Sequence, residues 1–230
     1  MKHITEDNMV TSVKKTVLQY GGKMLMLSLL SSLLLACSNT AEYKVPFYTD
    51  ASYTPIWKID AQAKNNLNHI APFRFTNQYG RTFSSEDLKG KIYLANFFFT
   101  TCKGICPKMT NNIKKIYQHF EGNPRVLFLS HSVTPEIDSV AKLKAYADAN
   151  DIHTPQWELL TGKATEIYNL ARKSYFVEEA NGLSKDSTEF LHTENIVLVD
   201  KDGHIRGLYN GTIALDAERA IEDIDALLQE

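Results

Sequence analysis

Cysteine is scarce in this chain, with only Cys37, Cys102 and Cys106 among 230 residues, so at most one intramolecular thiol pair can form. An excess of charge is also missing, because 25 basic residues face 27 acidic ones and the net charge is −2. This balance gives no electrostatic attraction to nucleic acid or to an anionic membrane surface. Internal repeats and low-complexity stretches are absent too. The length therefore predicts one compact domain with appendages.

A long hydrophobic run is likewise absent. The apolar stretch Met24–Ala36 has 13 residues, which is too short to span a bilayer but suits the core of a signal peptide. It follows Lys14, Lys15 and Lys23 and precedes Cys37 in Leu-Leu-Ala-Cys-Ser at 34–38, which resembles the bacterial lipobox. We predict a lipoprotein signal peptide over residues 1–36 and lipidation of Cys37.

This prediction implies an exported protein, lipid-anchored to a bacterial cell membrane, with its domain on the periplasmic or extracytoplasmic side. The alternative is an ordinary signal peptide whose cleavage region contains a cysteine. Met9 or Met24 is an alternative start of the chain. Residues 37–68 form a predicted tether, and its scattered aromatic side chains indicate that part of it packs on the domain.

Residues 69–230 contain a regular alternation of apolar runs. A short hairpin is followed by strand, helix, strand, helix, a short strand, a third helix, a second hairpin and a closing helix. This order predicts an α/β, thioredoxin-like fold with a central mixed sheet flanked by helices. The main predicted strands and helices cover 92–99, 106–122, 126–130, 140–147, 157–162, 164–172, 195–199, 204–209 and 217–228.

The most informative feature is the pair Cys102 and Cys106, which stands between an apolar strand and an amphipathic helix opened by Pro107. If both enter the helix, their i, i+4 spacing places the sulfur atoms on one face. A helix N-terminus favours thiolate over thiol. Two soft thiolates select Cu(I) or Zn over hard cations. The alternatives are a simple disulfide or two small core residues.

A third metal ligand has to come from elsewhere, and His192 is the best choice because it directly precedes a predicted strand. In a thioredoxin-like sheet this loop faces the start of the cysteine helix. No proline stands between Leu191 and Asn195, where a thioredoxin-type oxidoreductase is expected to have one. His131 is the reserve ligand. The remaining histidines are expected in the signal, in the tether or on the surface: His3, His69, His119, His153 and His204.

The chain resembles the Sco/SenC family of copper-binding thioredoxin-fold proteins over about residues 71–230. C-x-x-x-C-P alone is only moderately specific, whereas the ordered set of motifs is a strong signal. That set comprises Pro72-Phe73 to Gly80, Gly90-Lys91, Cys102-x-x-x-Cys106-Pro107, Ser132-Val133-Thr134-Pro135-Glu136-Ile137-Asp138, Leu160-Thr161-Gly162, and His192 before Val197-Leu198-Val199-Asp200.

The resemblance implies that Cys102, Cys106 and His192 hold Cu(I) and Cu(II). It further implies a metallochaperone that delivers copper to the copper-accepting subunit of cytochrome c oxidase, or to another copper client, or that maintains the thiols of that site with a thiol reductant partner. The chain departs from the family at Lys103-Gly104, where the family has Pro-Asp. Leu191 and Thr134 replace aspartates, which removes carboxylates that tune ligand basicity.

Two other functions compete with copper binding. The thiol pair alone would suffice for an exported thiol-disulfide oxidoreductase or thiol peroxidase, acting through Cys102 and Cys106 without His192. A purely structural lipoprotein is the third hypothesis, and it leaves the arrangement of cysteines and histidine unexplained. The first hypothesis describes a binding protein rather than an enzyme.

Overall fold

The computed structural model describes residues 44–60, 67–178 and 193–230. Its strands are β1 (Arg74–Asn77), β2 (Thr82–Ser84), β3 (Ile92–Phe98), β4 (Val126–Ser132), β5 (Trp157–Thr161), β6 (Asn195–Val199) and β7 (Ile205–Asn210). Its helices are α1 (Ile105–His119), α2 (Val140–Ala149), α3 (Ala164–Lys173) and α4 (Ala214–Leu227), with a 3₁₀ turn at Ser85–Leu88.

The seven strands form one sheet in the order β2-β1-β5-β4-β3-β6-β7. β3 and β4 are parallel and buried at every position, because both of their faces are covered. β6 lies antiparallel to β3, and β7 antiparallel to β6, so the sheet is mixed. The predicted α/β fold with a central mixed sheet is confirmed.

Helices cover both faces of this sheet. α1, α2 and α4 share one hydrophobic cluster with the sheet, in which Met109, Ile113 and Ile116 of α1 point inward at a three- and four-residue spacing. α3 and the 3₁₀ turn share the other cluster, through Ile167 and Leu88 among others. Each face of the sheet therefore has its own apolar core.

The strand directions bring several loops to one edge of the sheet. β3, β4 and β7 all end at this edge, and β6 begins there, since β6 alone among them runs the opposite way. The loops that follow β3, β4 and β7 therefore lie at the same edge as Thr193 and Glu194, which precede β6. The two described cysteines lie in the first of these loops and in the helix that follows it.

The residues before β1 pack on the far end of the sheet. Tyr48 N–H donates to Ile205 O at 3.0 Å, Phe47 pairs with Ile56, and Val45 is buried. The compact unit runs from Lys44 to Glu230 and includes residues 44–60 of the predicted tether, part of which was expected to pack on the domain.

No helix in ranges 44–60, 67–178 and 193–230 has the length and apolar character needed to cross a membrane. The predicted signal peptide over residues 1–36 and the predicted lipidation site Cys37 lie outside the described residues. Both stay predictions of the sequence.

Candidate metal-binding site

The two cysteines meet where the chain passes from β3 into α1. Cys102 N–H donates to Phe99 O at 3.2 Å, which closes a turn directly after the strand. α1 begins only at Ile105, after Gly104 with a non-helical φ of −98° and ψ of −101°. Only Cys106 is helical, so the condition that both cysteines enter the helix is not met. The turn, rather than the helical repeat, brings Cys102 back to Cys106.

Both cysteines are free thiols and are hydrogen-bonded to each other. Burial acts to raise the pKa of Cys102, but hydrogen bonds from the Cys106 thiol and from the amides of Cys106, Gly104 and Ile105 outweigh it, so this pKa is lowered. These are the amides that a helix N-terminus leaves without an intrahelical acceptor. They form a receptor for a negatively charged sulfur atom.

The Cys106 thiol behaves in the opposite way. Its side chain is buried at 3% exposure, and this burial, together with the hydrogen bond to Cys102, raises the pKa of Cys106. The pair thus combines a partly exposed sulfur that is stabilised as thiolate with a buried one that keeps its proton. Such a pair can bind a soft metal ion once both sulfur atoms are deprotonated, or exchange with a disulfide.

His192 lies outside the described residues, and the chain is described again from Thr193. Thr193 Oγ1 donates to Val177 O at 2.9 Å. Gly211 N–H donates to Glu194 O at 2.7 Å, and the side-chain amide of Asn112 donates to Gly211 O at 2.8 Å. The residues that follow His192 are thus linked, through Gly211, to the helix that carries Cys106.

His131, the reserve ligand, lies within β4 on the face of the sheet opposite Cys106. Its ring stacks on Phe97 with centroids 5.2 Å apart and contacts Phe73, Phe75 and Tyr175. Neither ring nitrogen has a hydrogen-bond partner among the described residues, and burial lowers the pKa of His131 to about 3. The sheet separates this imidazole from the thiols, so it is not their third ligand.

The other described histidines lie away from the thiols. His119 and His153 are exposed, as expected, and each lies beside an aspartate. His204 was expected on the surface but is 3% exposed, because its ring packs between Phe47 and His69. Within the part of the chain that the structure describes, no cluster of three or more His, Cys, Asp or Glu side chains could hold a metal ion.

Two side chains beside the thiols received no role from the sequence. Burial raises the pKa of the Tyr146 phenol, a hydrogen bond with Thr110 acts to lower it, and the charges of Cys106, Cys102 and Asp138 act to raise it. Asp138 is buried and accepts hydrogen bonds from Thr100. A sequence signal existed, since this acidic residue follows β4 among several hydroxyl side chains.

The sheet order and a thiol pair at the strand-to-helix junction define a thioredoxin-like protein with a two-cysteine site. Comparison with known proteins identifies the family within this class of thioredoxin-like proteins. The model of the SCO1/SenC family matches residues 61–229. The chain belongs to the SCO1/SenC family.

Solved structures agree with this assignment. A SCO1/SenC family lipoprotein from Bacillus anthracis is 32% identical, with a TM-score of 0.60 over 70% of this chain and 95% of that one. BsSco, a member of the Sco family of cytochrome c oxidase assembly proteins in which a disulfide switch was identified, is 34% identical with a TM-score of 0.59 over 70% and 93%. Bradyrhizobium japonicum ScoI, solved with copper bound, is 29% identical with a TM-score of 0.54 over 68% and 98%.

Proposed function

We propose that this protein is a membrane-anchored copper metallochaperone for the copper centre of cytochrome c oxidase. Copper is its cargo, Cys102, Cys106 and His192 are the ligands, and a lipid on Cys37 is the anchor. The observation that carries the proposal is the pair of free, mutually hydrogen-bonded thiols at the start of α1. Relatives of this chain include one solved with copper bound and one named for cytochrome c oxidase assembly.

The thiol pair fits copper by its chemistry. Two thiolates are soft donors, and Cu(I) prefers such donors over oxygen ligands. The amides around Cys102 stabilise its thiolate form, and copper binding displaces the proton of Cys106. Cys102 is partly exposed, which leaves an approach for a client that takes the ion over.

His192 supplies the third donor in this proposal. The support is topological, because β6 begins at the edge of the sheet where β3 ends, and Glu194 is linked through Gly211 to α1. An imidazole nitrogen would complete a three-coordinate site with two sulfur atoms. It would also help to hold Cu(II), which favours nitrogen donors more than Cu(I) does.

Copper titration of matched variants tests these ligands. Wild type should bind one equivalent of Cu(I) against a competing chelator, and Cys102→Ala should bind none. His192→Ala should keep some binding but lose about tenfold or more in affinity, equal to about 1.4 kcal/mol. His119→Ala is the control, because His119 is an exposed histidine late in α1. Unchanged stoichiometry in Cys102→Ala would contradict the proposal.

A second function, thiol-disulfide exchange, is favoured by the asymmetry of the same two thiols. The Cys102 thiolate would attack a client disulfide, forming a mixed disulfide and releasing one client thiolate. The Cys106 thiol then loses its proton, attacks Cys102 Sγ and releases the second client thiolate. The client gains two electrons, its two thiolates take up the Cys106 proton and one proton from water, the protein keeps a Cys102–Cys106 disulfide, and an external thiol reductant restores the two protein thiols.

The two functions differ in their need for His192. A disulfide-reduction assay should show full activity in His192→Ala if exchange uses the thiols alone. If the same variant has lost copper affinity, the histidine serves copper only. Parallel loss of both activities in His192→Ala would contradict this division of roles.

The lipid anchor is tested separately on the full chain. Expression in a bacterium with labelled palmitate should label the wild type and should not label Cys37→Ala. Cys102→Ala is the matched control and should be labelled normally. Equal labelling of wild type and Cys37→Ala would contradict lipidation at Cys37.

A further inference from the structure

Asp138 is a buried carboxylate in the loop between β4 and α2, with 0% exposure. It accepts four hydrogen bonds from three residues. Thr100 donates through its backbone N–H at 3.2 Å and its Oγ1 at 2.5 Å, Ser132 through Oγ at 2.6 Å, and Thr134 through Oγ1 at 3.0 Å. The carboxylate therefore joins the loop after β3 to the end of β4 and to its own loop.

Backbone and capping hydrogen bonds fix the conformation of the loop that carries Asp138. The amides of Ile137 and Asp138 both donate to Thr134 O at 2.8 Å, and Ser139 directly afterwards caps α2 by accepting from Lys142 N–H. A side chain in this position is held by the helix, by the turn and by the strand together. Its partner Thr100 is held at two points, N–H and Oγ1, which fixes orientation as well as distance.

Thr100 stands inside the turn that shapes the thiol pair. Phe99, its neighbour, accepts the Cys102 N–H at 3.2 Å, and the Phe99 amide donates to the Cys106 sulfur. A rotation of the peptide between Phe99 and Thr100 would move the Phe99 oxygen that accepts from Cys102. The hydrogen bonds from Thr100 to Asp138 therefore hold the residue next to Phe99, and the backbone of Phe99 contacts both cysteines.

We propose that Asp138 is a positioning residue for the two-thiol site: through Thr100 it sets the orientation of Cys102 relative to Cys106. The part of this proposal that concerns copper geometry rests on the proposed function, whereas the part that concerns the thiols does not. Asp138 makes no contact with the cargo in this role. Its effect reaches the sulfur atoms only through the turn.

The chain offers a matched pair of variants. Thr100→Val and Thr134→Val each replace a hydroxyl by a methyl group, and each removes one hydrogen bond to the same carboxylate. Only Thr100 lies in the cysteine turn. If Asp138 merely stabilises the fold, the two variants should behave alike in every measurement at the thiols.

The experiment measures two properties of folded wild type, Thr100→Val, Thr134→Val and Asp138→Asn. The first is the ratio of alkylation rates of Cys102 and Cys106 in the metal-free protein, followed by mass spectrometry. The second is the Cu(II)–thiolate absorption and paramagnetic resonance spectrum together with Cu(I) affinity. We expect Thr100→Val and Asp138→Asn to change the alkylation ratio by about threefold or more and to lower the Cu(I) affinity by about tenfold, equal to about 1.4 kcal/mol. Thr134→Val should match wild type in both.

The proposal is overturned if Thr100→Val equals wild type, or if Thr100→Val and Thr134→Val change the thiols equally. Should Asp138→Asn fail to fold, Thr100→Val still decides, because it removes a single hydroxyl. If no variant and not even wild type binds copper, the proposed function fails. The alkylation ratio then still supports or overturns the role of Asp138, so the two failures are distinguishable.

Discussion

The guanidinium carbon of Arg206 lies 4.0 Å from the centroid of the Phe47 ring. Arg206 is 3% exposed, and it also donates to Val45 O at 2.7 Å and Pro46 O at 3.2 Å. Its remaining donors meet the carboxylates of Asp200 and Glu230. The Arg206 guanidinium thus links residues 45–47, the turn between β6 and β7, and Glu230.

Replacement of Arg206 should destabilise the domain strongly. Arg206→Met leaves the buried Asp200 carboxylate without its partner, and we expect a loss of about 3–5 kcal/mol in the free energy of unfolding. Arg206→Lys keeps the charge but loses the planar fork, so its loss should be smaller but still measurable. Urea unfolding of the metal-free domain measures both.

The control for Arg206 is Arg219→Met. Arg219 pairs with Asp216 at the surface, and such exposed pairs contribute about 0–1 kcal/mol. Equal losses for Arg206→Lys and Arg219→Met would show that the fork geometry of Arg206 is unimportant.

His131 should make the fold sensitive to acid. Its pKa is about 3 in the folded protein against 6.5 for the free side chain, so only the unfolded chain takes up a proton between these values. The stability that the neutral ring contributes is complete above pH 6.5 and is lost as the pH falls towards 3. The slope from this one group is about 1.4 kcal/mol per pH unit.

His131→Phe removes this dependence. We expect the difference in unfolding free energy between His131→Phe and wild type to be constant above pH 7 and to shift in favour of the variant by about 1.4 kcal/mol per unit between pH 6 and pH 4. Urea unfolding at pH 7.5, 6, 5 and 4 measures this. A difference that stays the same at all four values would contradict the assignment of a neutral, buried ring.

Gly162 is required by close packing at the end of β5. A Cβ atom at this position would lie 2.5 Å from Cδ1 of Phe75, which is itself buried. Gly162→Ala should therefore lower the free energy of unfolding by about 1–3 kcal/mol. In a Phe75→Leu background the same substitution should have a smaller effect, and a double-mutant cycle in urea measures the coupling. Additive losses would argue against this contact.

Gln156 connects the end of α1 to the start of β4. Its side-chain amide donates to Asn123 O at 2.8 Å and to Val126 O at 3.2 Å, and its Oε1 accepts from Gly122 N–H at 2.8 Å. Gln156→Leu removes these hydrogen bonds from one buried and two part-buried backbone groups, so we expect a loss of about 2–4 kcal/mol. Gln229→Leu, at an exposed position, is the control in thermal unfolding. Similar melting temperatures of the two variants would contradict this role.

The sequence predicted the strands and helices well because their apolar runs are long and regular. Ile92–Phe98 and Val126–Ser132 are buried throughout, and such runs are visible without tertiary information. The junction of strand and helix at the thiols was also predictable, since Pro107 suits a first helical turn and lies in the first turn of α1.

Features that depend on long-range contacts were not predictable. The predicted strand ends at residue 130, whereas β4 continues to Ser132. Because His131 is part of the strand, the alternation of side chains places it on the face away from the cysteine helix. The burial of His204 depends on Phe47 and His69, which are remote in sequence. The turn after β3 includes a contact between Thr100 and Asp138, which are 38 residues apart.

The attachment of residues 45–48 beside Ile205 and Arg206 has a mechanical consequence. Ile205 lies level with the beginning of β3, whereas the cysteines follow its end, and seven residues of strand span roughly 20 Å. A force that pulls on the chain before residue 45 would act first on the contacts between Arg206 and residues 45–47. The loop that carries the thiols would not bear this force. The thiol end of the domain therefore lies about one strand length from the point where residues 45–48 attach to it.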